Sequence, residues 1–305
     1  MKRLFVFGCS FTSYSWPTWA DLLSLDFDRF ENWGVTGLGN RAIAERIVEC
    51  NVKNQLNSDD IVIVQWSTHL RHDFFHSYSL PNRLPGWKTA GSIFNYLNLE
   101  IYDQKWIDTF FYEPAYVMHT LNFVSLTQRF LNNLGVTWYM TSIGDLRNLG
   151  NDFIDGEGYN ETLLIAPEEK EIDMLMWKKF PDLAIYQKEI WNRHSDQWLT
   201  PLFAEAKKYP EQFYKFNKEE NPNETFFDMH PSVRQHNTWL EKHLFPKLEI
   251  AVNRNKDQRE DIVNSIEELY QQHKTNKTAF EMLIGRKHFK APKNFVWPNY
   301  YRGYY

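Results

Sequence analysis

Cysteine is almost absent from this sequence: only Cys9 and Cys50 occur among 305 residues. Two cysteines cannot form a disulfide framework, and neither stands at a spacing typical of zinc ligands. We therefore expect synthesis in a reducing compartment, stability from a hydrophobic core, and no metal site. Such a protein can still leave the cell later as part of a larger particle.

The sequence also lacks a basic excess and long apolar runs. Lys and Arg number 34 against 39 Asp and Glu, so the formal net charge is −5. Nucleic-acid binding normally needs a basic face, and a membrane span needs roughly 20 apolar residues, so we expect neither partner. The N-terminal apolar stretch covers only Leu4 to Phe7, which is too short for a signal peptide. We expect cytoplasmic synthesis without a signal peptide.

The abundant features are aromatic side chains and an alternation of strand and helix patterns. Continuous apolar runs at 3–8, 60–66 and 135–144 are typical of strands covered on both faces, as in a parallel sheet. Helical spacing between them predicts helices at about 40–56, capped by Asn40, and at about 115–133. This alternation indicates an α/β fold with a central parallel sheet. The apolar positions that define the two helices are Ile43, Ile47 and Val48, and Val117, Leu121, Val124 and Leu131.

Two long segments fit this rhythm poorly. Residues of about 72–112 and 145–222 are aromatic and interrupted by Pro and Gly, so we interpret them as insertions that build walls around the sheet's carboxyl edge. Helical segments are predicted near 168–180 and 183–208. Residues 251–305 form a C-terminal extension, with a helix through Ile262, Ile266 and Leu269 and an aromatic tail. The tail is predicted to dock on its own domain; the alternative is a protein partner.

Ser10 directly follows the first predicted strand, in the stretch "FGCSFT". Sites in open α/β sheets form at the carboxyl ends of strands, so Ser10 is a candidate nucleophile. Ser is also common in turns and caps, which is the structural alternative.

Two further stretches carry candidate chemistry. Gly37 and Gly39 precede a helix, where backbone N–H groups in a Gly-rich turn can hold an oxyanion; a tight turn is the alternative. His230 lies in the loop before a helix that begins near Pro231 and carries Val233, Trp239, Leu240 and Leu244. A His in such a loop can serve as general base to a Ser, and Asp228 can fix its tautomer.

In this order, the three stretches resemble the SGNH (GDSL-type) hydrolase family. The resemblance covers roughly 1–70, 115–145 and 224–250, within a hydrolase domain of residues 1–250. It implies an α/β, flavodoxin-like three-layer sandwich and a cofactor-free serine esterase. Ser10 would be the nucleophile, His230 the general base and Asp228 its orienting carboxylate. The N–H groups of Ser10 and Gly37 would form the oxyanion hole, with Asn32 to Gly37 as the family's second block.

Three positions depart from the family's pattern. Cys9 replaces the usual Asp before the nucleophile, and a Cys9 nucleophile is the alternative to Ser10. The last block reads D-x-H where the family has D-x-x-H, with Phe227 three residues before His230. The oxyanion-hole Asn after the second apolar strand is missing. The corresponding position in this chain is Thr68 or His69, either of which can donate a hydrogen bond. Arg71 is the substitute donor, and His72 and His76 are interpreted as solvated loop residues.

The substrate expected from the resemblance is a small acyl group, such as acetyl, on a carbohydrate. The candidate sugar-stacking rings are Trp16, Trp19, Trp87, Trp106 and Tyr112, each of which also suits a core. A non-catalytic structural or interaction protein on the same fold is the alternative, and an O-acyltransferase is the third. The first strand and its loop also resemble family members of bacteriophages, which would suit a virion-associated esterase or virion component.

Overall fold

The computed structural model describes residues 3–76, 86–92, 104–144, 181–218, 223–251, 253–284 and 299–300. Within these residues the strands are β1 (Arg3–Phe7), β2 (Arg29–Asn32), β3 (Asp60–Trp66), β4 (Arg71–His76), β5 (Gly86–Ser92), β6 (Thr137–Ser142), β7 (Lys215–Asn217), β8 (Thr225–Phe227) and β9 (Asn299–Tyr300). The helices are α1 (Trp19–Leu23), α2 (Asn40–Asn54), α3 (Gln104–Phe110), α4 (Glu113–Leu134), α5 (Pro181–Asn192), α6 (Leu202–Ala206), α7 (Val233–Trp239), α8 (Phe245–Leu248), α9 (Lys256–His273) and α10 (Lys277–Ile284).

A five-stranded sheet forms the centre of the fold, in the order β6-β3-β1-β2-β9. All its neighbouring strands are parallel. β3 is buried along its whole length, and Leu4–Phe7 of β1 are buried as well. Continuous burial requires helices on both faces, which explains why these strands read as unbroken apolar runs. The α/β three-layer class expected from the sequence is confirmed.

Helices cover the sheet in two groups. α2 packs on α4, and α4 packs on α5; α1, α6 and α9 pack around α7. The helix predicted at 115–133 is α4, which ends at Gly135 in a left-handed conformation with φ 69°. Gly ends helices this way at little steric cost. The apolar positions named for this helix, Val117, Leu121, Val124 and Leu131, are all buried.

The C-terminal helices belong to the same core. α9 buries Ile262 and Ile266 as predicted, and Leu269 packs against the core as well. α10 adds Phe280 and Ile284 to the same cluster. Two residues of the tail, Asn299–Tyr300, pair with Glu31 and Asn32 of β2, so this part docks on its own domain.

Two local expectations about the helices were wrong. Val48 is 48% exposed, so it is not on the buried stripe of α2 with Ile43 and Ile47. The helix predicted at 183–208 is broken into α5, a 3₁₀ turn at Ser195–Gln197 and α6.

The insertion at 72–112 contains the antiparallel pair β4–β5 and α3. The helix predicted near 168–180 lies outside the described residues, and in the described part of the chain no helix is long and apolar enough to cross a bilayer.

Candidate active site

Ser10 lies in a tight turn at the carboxyl end of β1. The N–H groups of Thr12 and Ser13 both donate to the Cys9 carbonyl, at 2.9 and 3.0 Å. The Thr12 hydroxyl donates to Gln65 of β3 at 2.6 Å, which ties the turn to the neighbouring strand. Ser10 is 3% exposed and Cys9 is fully buried. Cys9 belongs to the apolar core cluster, and a thiol surrounded by apolar groups is inert, which disfavours Cys9 as a nucleophile.

Asn32 joins the Ser10 turn to the loop that carries Gly37. Its amide donates to the Thr12 carbonyl at 2.8 Å, and its side-chain oxygen accepts the Gly34 N–H at 2.9 Å. The Val35 N–H also donates to the Gly8 carbonyl at 3.1 Å. Gly37 has φ 87°, a conformation that an L side chain rarely adopts. Gly37 therefore lies in a loop that is hydrogen-bonded to the Ser10 turn, and its role as an oxyanion donor stays a prediction.

The far end of the Gly37 loop is held by β4. Asp73 accepts the N–H groups of Gly39 at 2.8 Å and of Ala42 at 3.0 Å, so it caps α2 from another element. Arg71 donates to the Leu38 carbonyl at 2.8 Å, and its guanidinium thus supports the loop. Burial raises the pKa of Asp73, and the two N–H groups offset this only in part.

The backbone directly after β3, beside Thr68 and His69, is bound by an amide side chain of α2. Asn40, the first residue of α2, accepts the Ser67 N–H at 2.8 Å and donates to the Ser67 carbonyl at 3.1 Å. Asn40 was predicted as the N-cap, but Gly39 is the N-cap and Asn40 anchors the loop after β3 instead. Thr68 is half-buried and His69 is buried at this end of the strand. Their role as oxyanion donors stays a prediction.

Asp228 and His230 form a hydrogen-bonded pair. Asp228 Oδ1 lies 2.6 Å from His230 Nδ1 and also accepts the His230 backbone N–H at 2.9 Å. The second bond is an Asx-turn, which folds the chain so that a carboxylate reaches the residue two positions later. The D-x-H spacing therefore still brings the carboxylate onto the imidazole. The pair precedes α7, whose N-cap Ser232 forms a capping box with Gln235.

The second oxygen of Asp228 binds two side chains from distant segments. Tyr14 donates its hydroxyl to Oδ2 at 3.1 Å, and Lys277 of α10 forms an ion pair with Oδ2 at 2.6 Å. Burial opposes ionisation of Asp228, but His230 and Lys277 outweigh it and hold the pKa of this carboxyl well below its usual range. Asp228 is therefore an anion throughout the neutral pH range.

Three rings surround His230. Tyr14 stacks on the imidazole with 3.6 Å between centroids and 17° between planes. Phe11 lies 5.2 Å and Trp16 6.3 Å from it, and the Trp16 indole N–H donates to the Pro231 carbonyl at 2.9 Å. Because Phe11 directly follows Ser10, the Ser10 turn and the His230 turn are in contact. Within the described residues no hydrogen bond joins the Ser10 hydroxyl to His230.

The predicted sugar-stacking rings divide into two groups. Trp16 is 1% and Trp19 0% exposed, so both are core rings and the prediction of a stacking surface was wrong for them. Trp106 is half-buried and packs edge-on against His72, while Tyr112 is 57% exposed.

The sequence analysis also named His72, His76 and Trp87. His72 has Nδ1 3.0 Å from the Tyr116 hydroxyl, so it is a packed residue and not a solvated loop histidine. The backbones of Trp87 and His76 lie in β5 and β4, and their side chains are outside the described residues.

Sequence reasoning missed Asp73, Tyr14 and Lys277 as supports of the site. Asp73 and Lys277 contact residues far along the chain, and no local pattern indicates such contacts.

No group of His, Cys, Asp and Glu side chains in the described residues is arranged to hold a metal ion. No model of a known protein family matches the chain, and a comparison with curated proteins finds no relative.

Proposed function

We propose that this chain is a serine esterase that removes small acyl groups, with Ser10 as nucleophile, His230 as general base and Asp228 as its orienting carboxylate. The observation that carries the proposal is the contact between Asp228 and His230 at 2.6 Å, in a turn that packs against the Ser10 turn. A carboxylate on Nδ1 fixes the tautomer that leaves Nε2 able to accept a proton.

The reaction takes place in two steps. His230 Nε2 takes the proton of Ser10 as Ser10 Oγ attacks the ester carbonyl, and the protonated His230 then donates that proton to the leaving alcohol. Water attacks the acyl-enzyme by the same route, losing a proton to His230, and Ser10 recovers its proton as the acid leaves. The backbone N–H groups of Ser10 and Gly37 stabilise the oxyanion in both steps.

Ser10 and His230 must come into hydrogen-bond contact when substrate binds. Catalytic hydrogen bonds are often long without a ligand and tighten in the complex, so the missing contact does not argue against the mechanism. Phe11 and Tyr14 lie on the same turn as Ser10, and both contact the His230 ring. The mechanism requires the Ser10 hydroxyl to reach hydrogen-bond contact with His230 Nε2 in the substrate complex.

The proposed substrate is an acylated carbohydrate, and the supporting rings are Trp106 and Tyr112. Trp106 contacts His72, the neighbour of Asp73, whose carboxylate holds the Gly37 loop. Partly exposed aromatic rings are suited to stack on a sugar. An O-acyltransferase would use the same residues, with a sugar hydroxyl in place of water.

A second candidate is a non-catalytic structural or interaction protein on this fold. Tyr14 covers one face of the His230 ring, and Asp228 is already neutralised by Lys277. Such a network can hold the C-terminal helices to the domain without performing chemistry.

The test is hydrolysis of p-nitrophenyl acetate and of acetylated sugars by the wild type, Ser10→Ala and His230→Ala. Ser13→Ala is the matched control, because Ser13 is half-buried in the same turn. We expect each site variant to lose about 10³-fold or more in kcat, and the control to remain close to wild type. Equal rates in the wild type and both site variants would reject the proposal. Transfer of the acetyl group to an added sugar would identify the acyltransferase.

A further inference from the structure

The two oxygens of Asp228 have separate partners. Oδ1 binds only the backbone N–H and the Nδ1 of His230, whereas Oδ2 binds Tyr14 and Lys277 among the described residues. Tyr14 comes from the Ser10 turn and Lys277 from α10, in the C-terminal extension. The Asp228 carboxylate therefore connects the N-terminal Ser10 turn and α10 of the C-terminal extension beside the His230 ring.

Both partners of Oδ2 are in the protonation state that this contact needs. Burial lowers the pKa of Lys277, but Asp228 and Glu281 outweigh it, so the net pKa is raised and the ammonium stays charged. Burial and the Asp228 charge raise the pKa of Tyr14, so its hydroxyl stays a donor. The Lys277 side chain is 28% exposed and that of Asp228 is 4% exposed. Such a pair is screened by solvent less than a surface ion pair.

We propose that Lys277 is a positioning residue of the candidate active site: by binding Oδ2 it holds the Asp228 carboxylate so that Oδ1 faces Nδ1 of His230. This inference rests on the proposed function of the site. Tyr14 assists by holding the same oxygen and by stacking on the ring, which fixes the plane of the imidazole. The C-terminal extension thereby supplies a component of the site, in addition to its share of the core.

Two further titratable groups lie beside this contact. His236 of α7 is fully buried and its pKa is lowered to about 3, so it carries no charge at neutral pH. Glu281 lies 3.5 Å from Lys277 Nζ and shares its charge. Without Lys277, Oδ2 keeps only the Tyr14 hydroxyl among its described partners, so the carboxylate is held less firmly against Nδ1 of His230.

The experiment compares Lys277→Met and Lys277→Arg with the wild type by two readouts. NMR detects the His230 Nδ1 proton that is hydrogen-bonded to Asp228 in the absence of substrate, and steady-state kinetics separate kcat from KM. We expect Lys277→Met to weaken or lose this NMR signal and to lower kcat about tenfold with little change in KM, and Lys277→Arg to restore both. Tyr14→Phe should change them less, because Lys277 still holds the same oxygen. Lys188→Met removes an exposed lysine of α5 and is the matched control.

The outcomes separate the two proposals. An unchanged Nδ1–H signal in folded Lys277→Met would overturn the role of Lys277, even in an active esterase. Loss of that signal in Lys277→Met, with no ester hydrolysis by the wild type, would support the positioning role and reject the esterase. If thermal unfolding shows that Lys277→Met is not folded, Lys277→Gln replaces it, because the polar side chain suits the half-buried position.

Discussion

The Asp73 carboxylate accepts the Gly39 N–H at 2.8 Å and thereby holds the end of the Gly37 loop from a strand of the first insertion. Asp73 also accepts the Ala42 N–H of the first turn of α2. A glycine N-cap has no side chain to satisfy these donors, so the carboxylate of β4 does so. The same contact leaves no room at Gly39, where an added Cβ would lie 2.5 Å from Asp73 Oδ2.

Asp73→Ala leaves two buried N–H groups without an acceptor. We expect it to lower the free energy of unfolding by about 2 kcal/mol and to reduce esterase activity through the Gly37 loop. Urea unfolding measures the first effect and kcat the second. Asp59→Ala, which removes an exposed carboxylate, should change neither; equal stability of the two variants would contradict this role of Asp73.

Asn32→Ala removes the two side-chain bonds by which Asn32 links the Gly37 loop to the Ser10 turn, while the bond from the Val35 N–H to the Gly8 carbonyl remains. Asn32 is fully buried, so the Gly34 N–H and the Thr12 carbonyl lose their partner in a dry site. We expect a loss of about 2 kcal/mol in unfolding free energy and a fall in kcat larger than the change in KM. The control is Asn253→Ala at an exposed position. A change in KM alone would show that Asn32 does not position catalytic groups.

Gly8→Ala places a methyl group against Thr12, whose hydroxyl holds the Ser10 turn to Gln65. Overpacking should cost about 1–3 kcal/mol, measured by thermal unfolding, with a loss of activity as the turn shifts. Gly135→Ala is a useful comparison, since its added Cβ meets nothing and its cost of about 1 kcal/mol comes only from the left-handed backbone. It should leave activity intact. Full activity of Gly8→Ala would contradict a constrained turn.

Acid should destabilise the protein through Asp228 and Glu205. The pKa of Asp228 is depressed by its partners, and that of Glu205 is lowered to about 2 because Lys208, Lys242 and His243 outweigh its burial. A depressed folded-state pKa gives stability that is present above the unfolded value of about 4 and is lost as pH falls towards the folded value.

Unfolding in urea at several pH values between about 6 and 2 tests this dependence, with Asp228 contributing about 2 kcal/mol. Asp228→Asn should have lower stability at neutral pH and a flatter acid dependence than the wild type. An equally steep acid dependence in Asp228→Asn would assign the effect to other carboxylates.

Much of the fold was predictable because its signals are local. β1 and β3 are buried on both faces and read as apolar runs, and α4 and α7 show their buried stripes at helical spacing. β2 was not predicted, since "RFEN" has neither an apolar run nor a clean alternation and gains its structure from pairing with β1. The exposure of Val48 also escaped prediction, because its apolar side chain lies one position beyond the stripe of α2.

The sequence by itself determined the order of β1, α2, β3, α4 and β6, and the strand ends and turns where Ser10, Gly37, Asp228 and His230 lie. Periodicity, caps and turn residues belong to contiguous stretches, so they can be read without knowing the packing. The tertiary structure alone decided that Trp16 is buried, that Asn40 binds Ser67, and that Lys277 reaches Asp228. Such contacts join residues far apart in the chain, and they depend on how whole helices and strands pack, which no local pattern encodes.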